Sequence, residues 1–192
     1  MKPKILAFAG SARTASFNKR LVQIAVSGAR AVGAEVTLID LRDFPLPVMD
    51  QDLEARDGLP ENARQLKALF MTHQGLLISS PENNSSMSAL LKNTIDWISR
   101  TEPGEAPLAP FEGKVAALMS ASPGGLGGLR GLVPLRAMLE NIRVLVIPDQ
   151  IALPGAGEAF TPEGRLKDAR RHAAVEKLGA TLYSYLQRLY SV

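Results

Sequence analysis

The segment from Gly10 to Asn18 joins short polar side chains to a guanidinium and contains no acidic residue. It follows an apolar run that predicts a buried strand and precedes a pattern that predicts a helix. A helix N-terminus presents free N–H groups and the positive end of the helix dipole, which favour an anion. Arg13 adds a charged fork suited to phosphate. The segment therefore predicts a phosphate-binding loop; the alternative is a well-capped helix with Ser16 as N-cap and Arg13 in solvent.

A second polar segment, Ser79 to Met87, follows another apolar run. Pro81 stiffens its backbone. The run Asn83–Ser86 offers donors and acceptors that suit the edge of a ring carrying amide-like groups. Asparagine and serine are also ordinary turn residues, so a turn followed by a helix cap is an equally open interpretation.

A third segment, Ser120 to Gly128, places four glycines in the five positions 124–128. Glycine lets a flat group approach the backbone closely because it has no side chain above the peptide plane. The alternative is a flexible loop, which would be unusual directly after a buried strand. We therefore expect this segment to contact a ligand.

The elements that position these segments follow from hydrophobic periodicity. Five nearly continuous apolar runs predict strands buried on both faces, as in parallel sheets covered by helices. These runs are Ile5–Ala9, Val36–Ile39, Gly75–Ser79, Val115–Ser120 and Val144–Ile147. Helical stripes lie after each run, beginning at Phe17, at residue 60, at Met87, at Leu129 (interrupted by Pro134) and at Ala173. Residues 148–163 and the proline-rich stretches Phe44–Val48 and Pro103–Pro110 are predicted to be surface loops.

Strict alternation of strands and helices predicts an α/β fold, a doubly wound sheet of five parallel strands with helices on both faces. Five strands fit the flavodoxin-like order 2-1-3-4-5. In such sheets the ligand lies beyond the carboxyl ends of the strands, where the strand order reverses. The three polar segments follow the first, third and fourth strands and meet at that point. A ligand with a phosphate at one end and a planar, hydrogen-bonding ring at the other is expected there, and flavin mononucleotide (FMN) matches this description.

The same segments resemble the motifs of the NAD(P)H-dependent FMN reductase family. Gly10–Asn18 is similar to the family's GSxRxxSxN signature, and Pro81–Ser86 with Leu91–Trp97 is similar to its PEYN…LKNAIDW stretch. Ser122–Gly128 resembles its third flavin loop. The resemblance covers about residues 4–150. The chain departs from the pattern at Asn83, where the family commonly has tyrosine.

The resemblance implies which residues hold the cofactor. The phosphate and ribityl end would contact Ser11, Arg13, Ser16, Phe17 and Asn18. The isoalloxazine and ribityl chain would contact Pro81, Glu82, Asn83, Asn84 and Ser85. The other edge of the ring would contact Ser120, Ser122, Pro123, Gly124 and Gly125. Arg100, Arg130 and Arg136 are candidate partners for the dinucleotide phosphates.

The resulting functional hypothesis is an oxidoreductase in which the flavin carries the chemistry and no protein side chain is catalytic. NADPH or NADH would give hydride to FMN, which would pass it to an acceptor such as a flavin, a quinone, an azo compound or a metal oxyanion, in ping-pong order. The alternatives are an FMN-binding electron carrier and a non-catalytic FMN-binding regulatory module. A hydrolase is the least favoured class, since neither His73 nor His172 can be placed near a serine.

Composition restricts the number of domains, the kinds of partner and the location that we expect. The 192 residues predict one domain, 1–192, and the 46% hydrophobic and 21% charged residues are ordinary for a globular protein. The chain has no cysteine and two histidines, so we expect no metal site. A net charge of +3 without a dense basic cluster argues against nucleic acid, and no membrane segment or signal peptide is evident. We expect a cytoplasmic location and, by the resemblance, a homodimer or homotetramer.

Overall fold

The computed structural model describes residues 2–190, so Met1, Ser191 and Val192 of the predicted domain lie outside the described residues. The elements are β1 (Lys4–Ala9), α1 (Phe17–Ala31), β2 (Glu35–Asp40), α2 (Gln51–Asp57), α3 (Glu61–Thr72), β3 (Gly75–Ser79), β4 (Glu82–Asn83), β5 (Ser86–Met87), α4 (Ala89–Ile98), β6 (Val115–Ala121), α5 (Leu129–Asn141), β7 (Leu145–Leu153), α6 (Ala156–Ala159) and α7 (Ala169–Tyr190). A short 3-10 turn, Leu41–Asp43, follows β2.

Five parallel strands form one sheet in the order β2-β1-β3-β6-β7. Counted within this sheet alone, the order is 2-1-3-4-5, which confirms the predicted flavodoxin-like topology. Alternate residues of the central strands enter different cores, so that Ile5 and Ala7 pack toward α1 and α7 while Leu6 and Phe8 pack toward α3, α4 and α5. Both faces of the sheet are therefore covered by helices, and this is why the central strands β1, β3 and β6 read as continuous apolar runs. The prediction of burial on both faces is wrong for the edge strand β2, which has no buried residue because it has a neighbour on one side only.

Helices α1 and α7 cross at unusually close range because a glycine lies on each side of the crossing. A Cβ on Gly28 would lie 2.0 Å from the carbonyl oxygen of Glu176, and one on Gly179 would lie 1.9 Å from that of Ala25. No real side chain tolerates such distances, so the backbones touch only because both positions lack a Cβ. This crossing fixes α1, whose N-terminus opens the first polar segment.

The prediction of a loop over residues 148–163 is wrong in two places. β7 continues through Pro148 to Leu153, and α6 occupies Ala156–Ala159. The β6–β7 register shifts between Ala116, which pairs with Val146, and Leu118, which pairs with Gln150. Proline and a bulge are both tolerated because β7 is an edge strand. The Arg136 guanidinium fills the bulge by donating to the carbonyl oxygens of Val146 at 3.1 Å and Ile147 at 2.9 Å.

Other differences are smaller. α5 runs through Pro134 as one helix. Helix α2 and the β4–β5 hairpin were not predicted. No helix within residues 2–190 combines the length and the apolar composition that crossing a membrane requires.

Candidate functional site

The three polar segments meet at the carboxyl ends of β1, β3 and β6 and enclose two adjoining cavities. The first cavity, of about 380 Å³, is lined by Gly10, Ser11, Ala12, Arg13, Ser16, Phe17, Asn18, Pro81, Glu82, Asn83, Ser88, Ala89, Leu90, Ala121, Ser122 and Pro123. The second, of about 510 Å³, is lined by Glu82, Asn84, Ser85, Ser122, Gly124, Gly125, Leu126, Gly128 and Arg130. Glu82 and Ser122 line both. The structure therefore brings together every residue predicted to contact the cofactor except Ser120.

The first segment turns sharply between β1 and α1. The Gly10 amide donates to the Ser79 carbonyl at 2.9 Å, and the Ser88 hydroxyl donates to the Gly10 carbonyl at 2.6 Å. A Cβ on Gly10 would lie 2.9 Å from Cβ of Leu91, so the close approach of α4 requires glycine here. Ser16 is the N-cap of α1, and its oxygen accepts from the Lys19 amide at 3.4 Å. The capped-helix interpretation is thus correct for Ser16. Because the cap uses the Ser16 oxygen only as an acceptor, the hydroxyl can still donate a hydrogen bond.

Arg13 is held in place by aromatic packing. Its guanidinium carbon lies 5.2 Å from the centre of the Phe17 ring, within cation–π range. The Phe17 ring stacks on Phe160, with centres 6.2 Å apart and planes inclined by 6°. Arg20 lies over the Phe160 ring at 5.8 Å. The Arg13 guanidinium and a helix N-terminus therefore make this end of the first cavity favourable for an anion.

Asn18 joins the first segment to both other strands. Its side-chain oxygen accepts from the Ala121 amide at 2.9 Å and from the Ser79 hydroxyl at 2.8 Å, and its side-chain nitrogen donates to the Ala121 carbonyl at 2.9 Å. The side chain is 3% exposed. These bonds commit most of the amide to the protein, so Asn18 positions the cavity walls as well as lining them.

The second segment is a tight hairpin. Glu82 pairs with Met87 and Asn83 with Ser86, so the turn consists of Asn84 and Ser85. Both have positive φ, 51° and 64°. Two successive left-handed residues match a type I′ turn, which follows the natural twist of a hairpin. Asparagine tolerates this conformation, whereas serine is strained in it.

Replacing Ser85 with glycine is expected to raise the free energy of unfolding of the FMN-free protein by about 0.5–1 kcal/mol, because glycine adopts positive φ without a Cβ clash. The matched variant is Ser86→Gly in the adjacent strand, where backbone entropy is lost without relief of strain and a decrease of similar size is expected. Urea denaturation measures both. Equal changes in the two variants would contradict the assignment of strain to Ser85.

The Glu82 carboxylate, at the base of the hairpin, is neutralised within the protein. It accepts from Arg130, at 2.7 Å to the nearer nitrogen, and from the Gly131 amide at 3.2 Å. Its side chain is mostly buried. Glu82 thus anchors the hairpin to the start of α5 and presents a compensated charge to the cavities, a role that the sequence pattern did not indicate.

The glycines of the third segment divide into two groups. A Cβ on Gly127 would lie 2.6 Å from the carbonyl carbon of Leu153, and one on Gly128 would lie 1.9 Å from Oγ of Ser120. Gly124 and Gly125 instead face open space, with only Oγ of Ser122 within 4 Å of a Cβ on Gly124 and nothing within 4 Å of one on Gly125. The first pair packs the loop onto the sheet, and the second leaves room above it.

Ser120 does not reach the cavities that it was expected to line. It is fully buried beneath Gly128, and its hydroxyl has no hydrogen-bond partner among the described residues. The residue lies within β6, which is buried on both faces, and its hydroxyl lies against Gly128 at the start of α5. Arg100 and Arg136 also lie away from both cavities, since Arg100 pairs with Glu54 at 2.8 Å and Arg136 fills the bulge of β7. Of the three arginines proposed for dinucleotide phosphates, only Arg130 lines one of these two cavities.

The start of α4 contributes residues that were not predicted. Ser88, Ala89 and Leu90 line the first cavity, where Ser88 is also the N-cap of α4 and accepts from the Leu91 amide at 3.1 Å. A serine directly before an apolar helical stripe marks a helix start, so this sequence feature could have placed Ser88 at the same sheet edge.

Neither histidine belongs to the site. His73 precedes β3 and therefore lies at the opposite edge of the sheet, where it bonds Thr37 Oγ1 at 2.7 Å. Burial lowers the pKa of His73 below its ordinary value. His172 lies in α7 and accepts from the Leu166 amide at 3.2 Å. Within residues 2–190, no three His, Cys, Asp or Glu side chains are grouped to hold a metal ion. The serines of the site thus have no histidine base.

Comparisons with known proteins agree with this geometry. The family model described as NADPH-dependent FMN reductase matches residues 3–158. An NAD(P)H-dependent FMN reductase of Pseudomonas aeruginosa is 32% identical over 187 residues, which cover 97% of this chain and 96% of that protein. An NADPH:quinone oxidoreductase of Arabidopsis thaliana is 33% identical over 191 residues, which cover 97% and 93%.

Among solved structures, a flavoenzyme NAD(P)H:(acceptor) oxidoreductase from Paracoccus denitrificans superposes with a TM-score of 0.81 at 23% identity, covering 97% of this chain and 98% of that one. This likeness supports the flavodoxin-like fold. The chain belongs to the NADPH-dependent FMN reductase family, which confirms the predicted oxidoreductase class and the predicted use of FMN with NADPH or NADH.

Proposed function

We propose that the protein is an FMN-containing oxidoreductase that carries hydride from NADPH or NADH to a small acceptor such as a flavin, a quinone, an azo compound or a metal oxyanion. The observation that carries the proposal is the convergence of three loops on two joined cavities at the switch point of the sheet. The names of the relatives, an FMN reductase and a quinone oxidoreductase, support the same reaction class.

The residues of the first cavity fit the phosphate end of FMN. The N-terminus of α1 supplies free amides, Ser11 and Ser16 supply hydroxyl donors, and Arg13 supplies a guanidinium already held over Phe17. The loop contains no acid that would repel a phosphate. We assign Ser11, Arg13, Ser16, Phe17 and Asn18 to this end. Asn18 acts there mainly indirectly, because its hydrogen bonds hold the loop in place.

The second cavity fits a flat ring. No side chain rises above Gly124 and Gly125, so a planar group could lie against the backbone there. The hairpin residues Asn83, Asn84 and Ser85 are exposed on the opposite side and offer amide and hydroxyl groups to the ring edge. We assign these residues with Pro81, Glu82, Ser122 and Pro123 to the isoalloxazine and its ribityl chain. Ser120, buried beneath Gly128, is not among them.

Bound FMN would supply the hydride chemistry, accepting from nicotinamide and donating to the second substrate. The chain itself contributes orientation, since no acid or base in the described cavities is required. Both substrates would reach the face of the ring that the protein leaves uncovered, one after the other, which is the ping-pong order that we propose.

A single preparation tests the proposal. The purified protein is expected to show a flavin absorption band that bleaches when NADPH is added anaerobically, and to oxidise NADPH in steady state with a quinone. A flavin band that NADPH does not bleach would favour an electron carrier, which needs a separate reductase, or a regulatory module. A colourless protein that does not take up FMN would refute the cofactor assignment.

Replacing Arg13 with alanine is expected to raise the dissociation constant for FMN about 10- to 100-fold, because a charge-assisted contact to phosphate contributes about 1.5–3 kcal/mol. Arg13→Lys should recover only part of the loss, since lysine keeps the charge but not the fork. Quenching of flavin fluorescence measures the affinity, and Arg170→Ala on the exposed start of α7 is the control. An unchanged affinity in Arg13→Ala would contradict the role of Arg13.

We propose that the protein forms a homo-oligomer whose interface includes α5. Leu129 and Val133 lie one turn apart on this helix and are 41% and 64% exposed. The α4 stripe gives no such support, because Leu91, Ile95 and Trp97 are buried in the protein's own core. Sedimentation velocity tests the assembly.

The single domain over 1–192 and the cytoplasmic location stay predictions.

A further inference from the structure

The loop between α6 and α7 folds back on itself. Phe160 pairs with Leu166 as an isolated antiparallel bridge, and the Thr161 amide donates to the Arg165 carbonyl at 2.8 Å. We call residues 159–167 the 159–167 loop. It begins directly after the last residue that the family model matches, and none of its residues was predicted to belong to the site.

The 159–167 loop is anchored to the body of the protein on two sides. Leu166 is buried in the core that α1 and α7 share, and its amide donates to Nδ1 of His172 in α7 at 3.2 Å. Phe160 belongs to the same core and is 8% exposed. The fold therefore fixes the position of the Phe160 ring before any cofactor binds.

Phe160 acts on the first cavity through Phe17, which lines that cavity while Phe160 does not. Within residues 2–190, Phe160 is the one aromatic ring stacked on Phe17. No hydrogen bond or ion pair in this part of the chain holds the Arg13 guanidinium, which leaves its contact with the Phe17 ring to orient it. Arg13 is thus oriented by a ring that Phe160 supports from behind.

The phosphate is the part of FMN that riboflavin lacks. The residues assigned to the isoalloxazine and the ribityl chain would contact both flavins alike, whereas Arg13 would contact the phosphate alone. A residue that orients Arg13 therefore changes the affinity for FMN and not the affinity for riboflavin. We propose that Phe160 is a positioning residue that sets the preference for FMN over riboflavin. This inference rests on the proposed assignment of Arg13 to the phosphate.

The test compares the two flavins in variants of Phe160. Phe160→Leu is expected to raise the dissociation constant for FMN about five- to tenfold and to leave that for riboflavin within twofold, because the stacked partner of Phe17 is lost. Phe160→Tyr keeps the ring and should restore the affinity of the unmodified protein. Phe160→Met fills the same space without a ring and should repeat the loss, so the test does not depend on one variant folding. Quenching of flavin fluorescence by the full chain, freed of bound flavin, measures these constants.

A double-mutant cycle tests whether Phe160 acts through Arg13. In the Arg13→Ala protein, Phe160→Leu should cause no further loss of FMN affinity, because the group that Phe160 positions is then absent. Losses that multiply would show that Phe160 acts on the cofactor by another route, and they would overturn the proposal.

Phe111→Leu is the matched control. Phe111 is fully buried in the core on the other face of the sheet, where its ring packs edge-on against Phe70 with centres 5.5 Å apart. This substitution also removes an aromatic contact, and it should leave the ratio of the two dissociation constants unchanged. An equal loss for both flavins in Phe160→Leu, or a preference for FMN that this variant retains in full, would refute the role of Phe160.

The same titrations separate this inference from the proposed function. If the unmodified protein binds neither flavin, the cofactor assignment fails and the role of Phe160 fails with it. If the preference for FMN is lost in Arg13→Ala but kept in Phe160→Leu, the cofactor site stands and only the role of Phe160 is refuted.

Discussion

Replacing Asn18 with alanine is expected to lower the free energy of unfolding of the FMN-free protein by about 3–5 kcal/mol. The substitution removes the shared partner of the Ala121 amide, the Ala121 carbonyl and the Ser79 hydroxyl. Each buried polar group left without a hydrogen-bond partner lowers the free energy of unfolding by about 1–3 kcal/mol. Because Asn18 lies where the three loops meet, its replacement should also make the walls of the first cavity more mobile.

The matched control for this prediction is Ser11→Ala, which changes the same segment at a half-buried side chain that lines the first cavity. Its expected effect on stability is under about 0.5 kcal/mol. Asn18→Asp should lose at least as much as Asn18→Ala near neutral pH, since it keeps the acceptor but places a buried carboxylate oxygen against the Ala121 carbonyl oxygen. Urea denaturation without FMN gives all three values. A loss below 1 kcal/mol in Asn18→Ala would show that the loops are held mainly by other contacts.

Replacing Gly179 with alanine is expected to lower the free energy of unfolding by about 3 kcal/mol, because overpacking commonly removes 1–3 kcal/mol and this contact is more severe than most. The new methyl would lie 1.9 Å from the carbonyl oxygen of Ala25, so α7 would have to move away from α1. The gain of about 1 kcal/mol from the higher helix propensity of alanine offsets the loss only in part.

Gly157→Ala serves as the comparison for Gly179→Ala. Gly157 also lies in a helix, but a Cβ there has nothing within 4 Å. This substitution should leave stability unchanged or raise it slightly. Thermal unfolding of both variants measures the difference, and similar melting temperatures would disprove the tight crossing of α1 and α7.

The sheet could be predicted because its three central strands, β1, β3 and β6, are buried on both faces. Runs such as Ile5–Ala9 and Gly75–Ser79 are apolar at nearly every position, and the helices between them allow only a parallel order. The three site loops followed from the same argument, since each begins where a predicted strand ends. Helix α2 could not be predicted, because it has no buried residue and therefore no apolar stripe.

The contacts inside the site were less predictable, because they join residues distant in sequence. Asn18 bonds Ala121, which is 103 residues away, and Arg130 pairs with Glu82 across 48 residues. Local patterns hold no information on such pairs. Ser120 does not line the cavities because it is still within β6, whose residues are buried on both faces. Phe160, which supports Phe17, lies beyond the motifs of the resemblance.

The bulge in β7 has a consequence for how copies of the chain meet. An edge strand with free N–H and C=O groups invites pairing with a foreign strand, which is the first step toward fibrils. Here Pro148 removes one donor, and Arg136 occupies the carbonyls that the bulge releases. Pairing of a foreign strand along this edge would therefore be interrupted at the bulge. The fold therefore resists ordered aggregation along β7 even at high concentration, and self-association there is restricted to contacts between side chains.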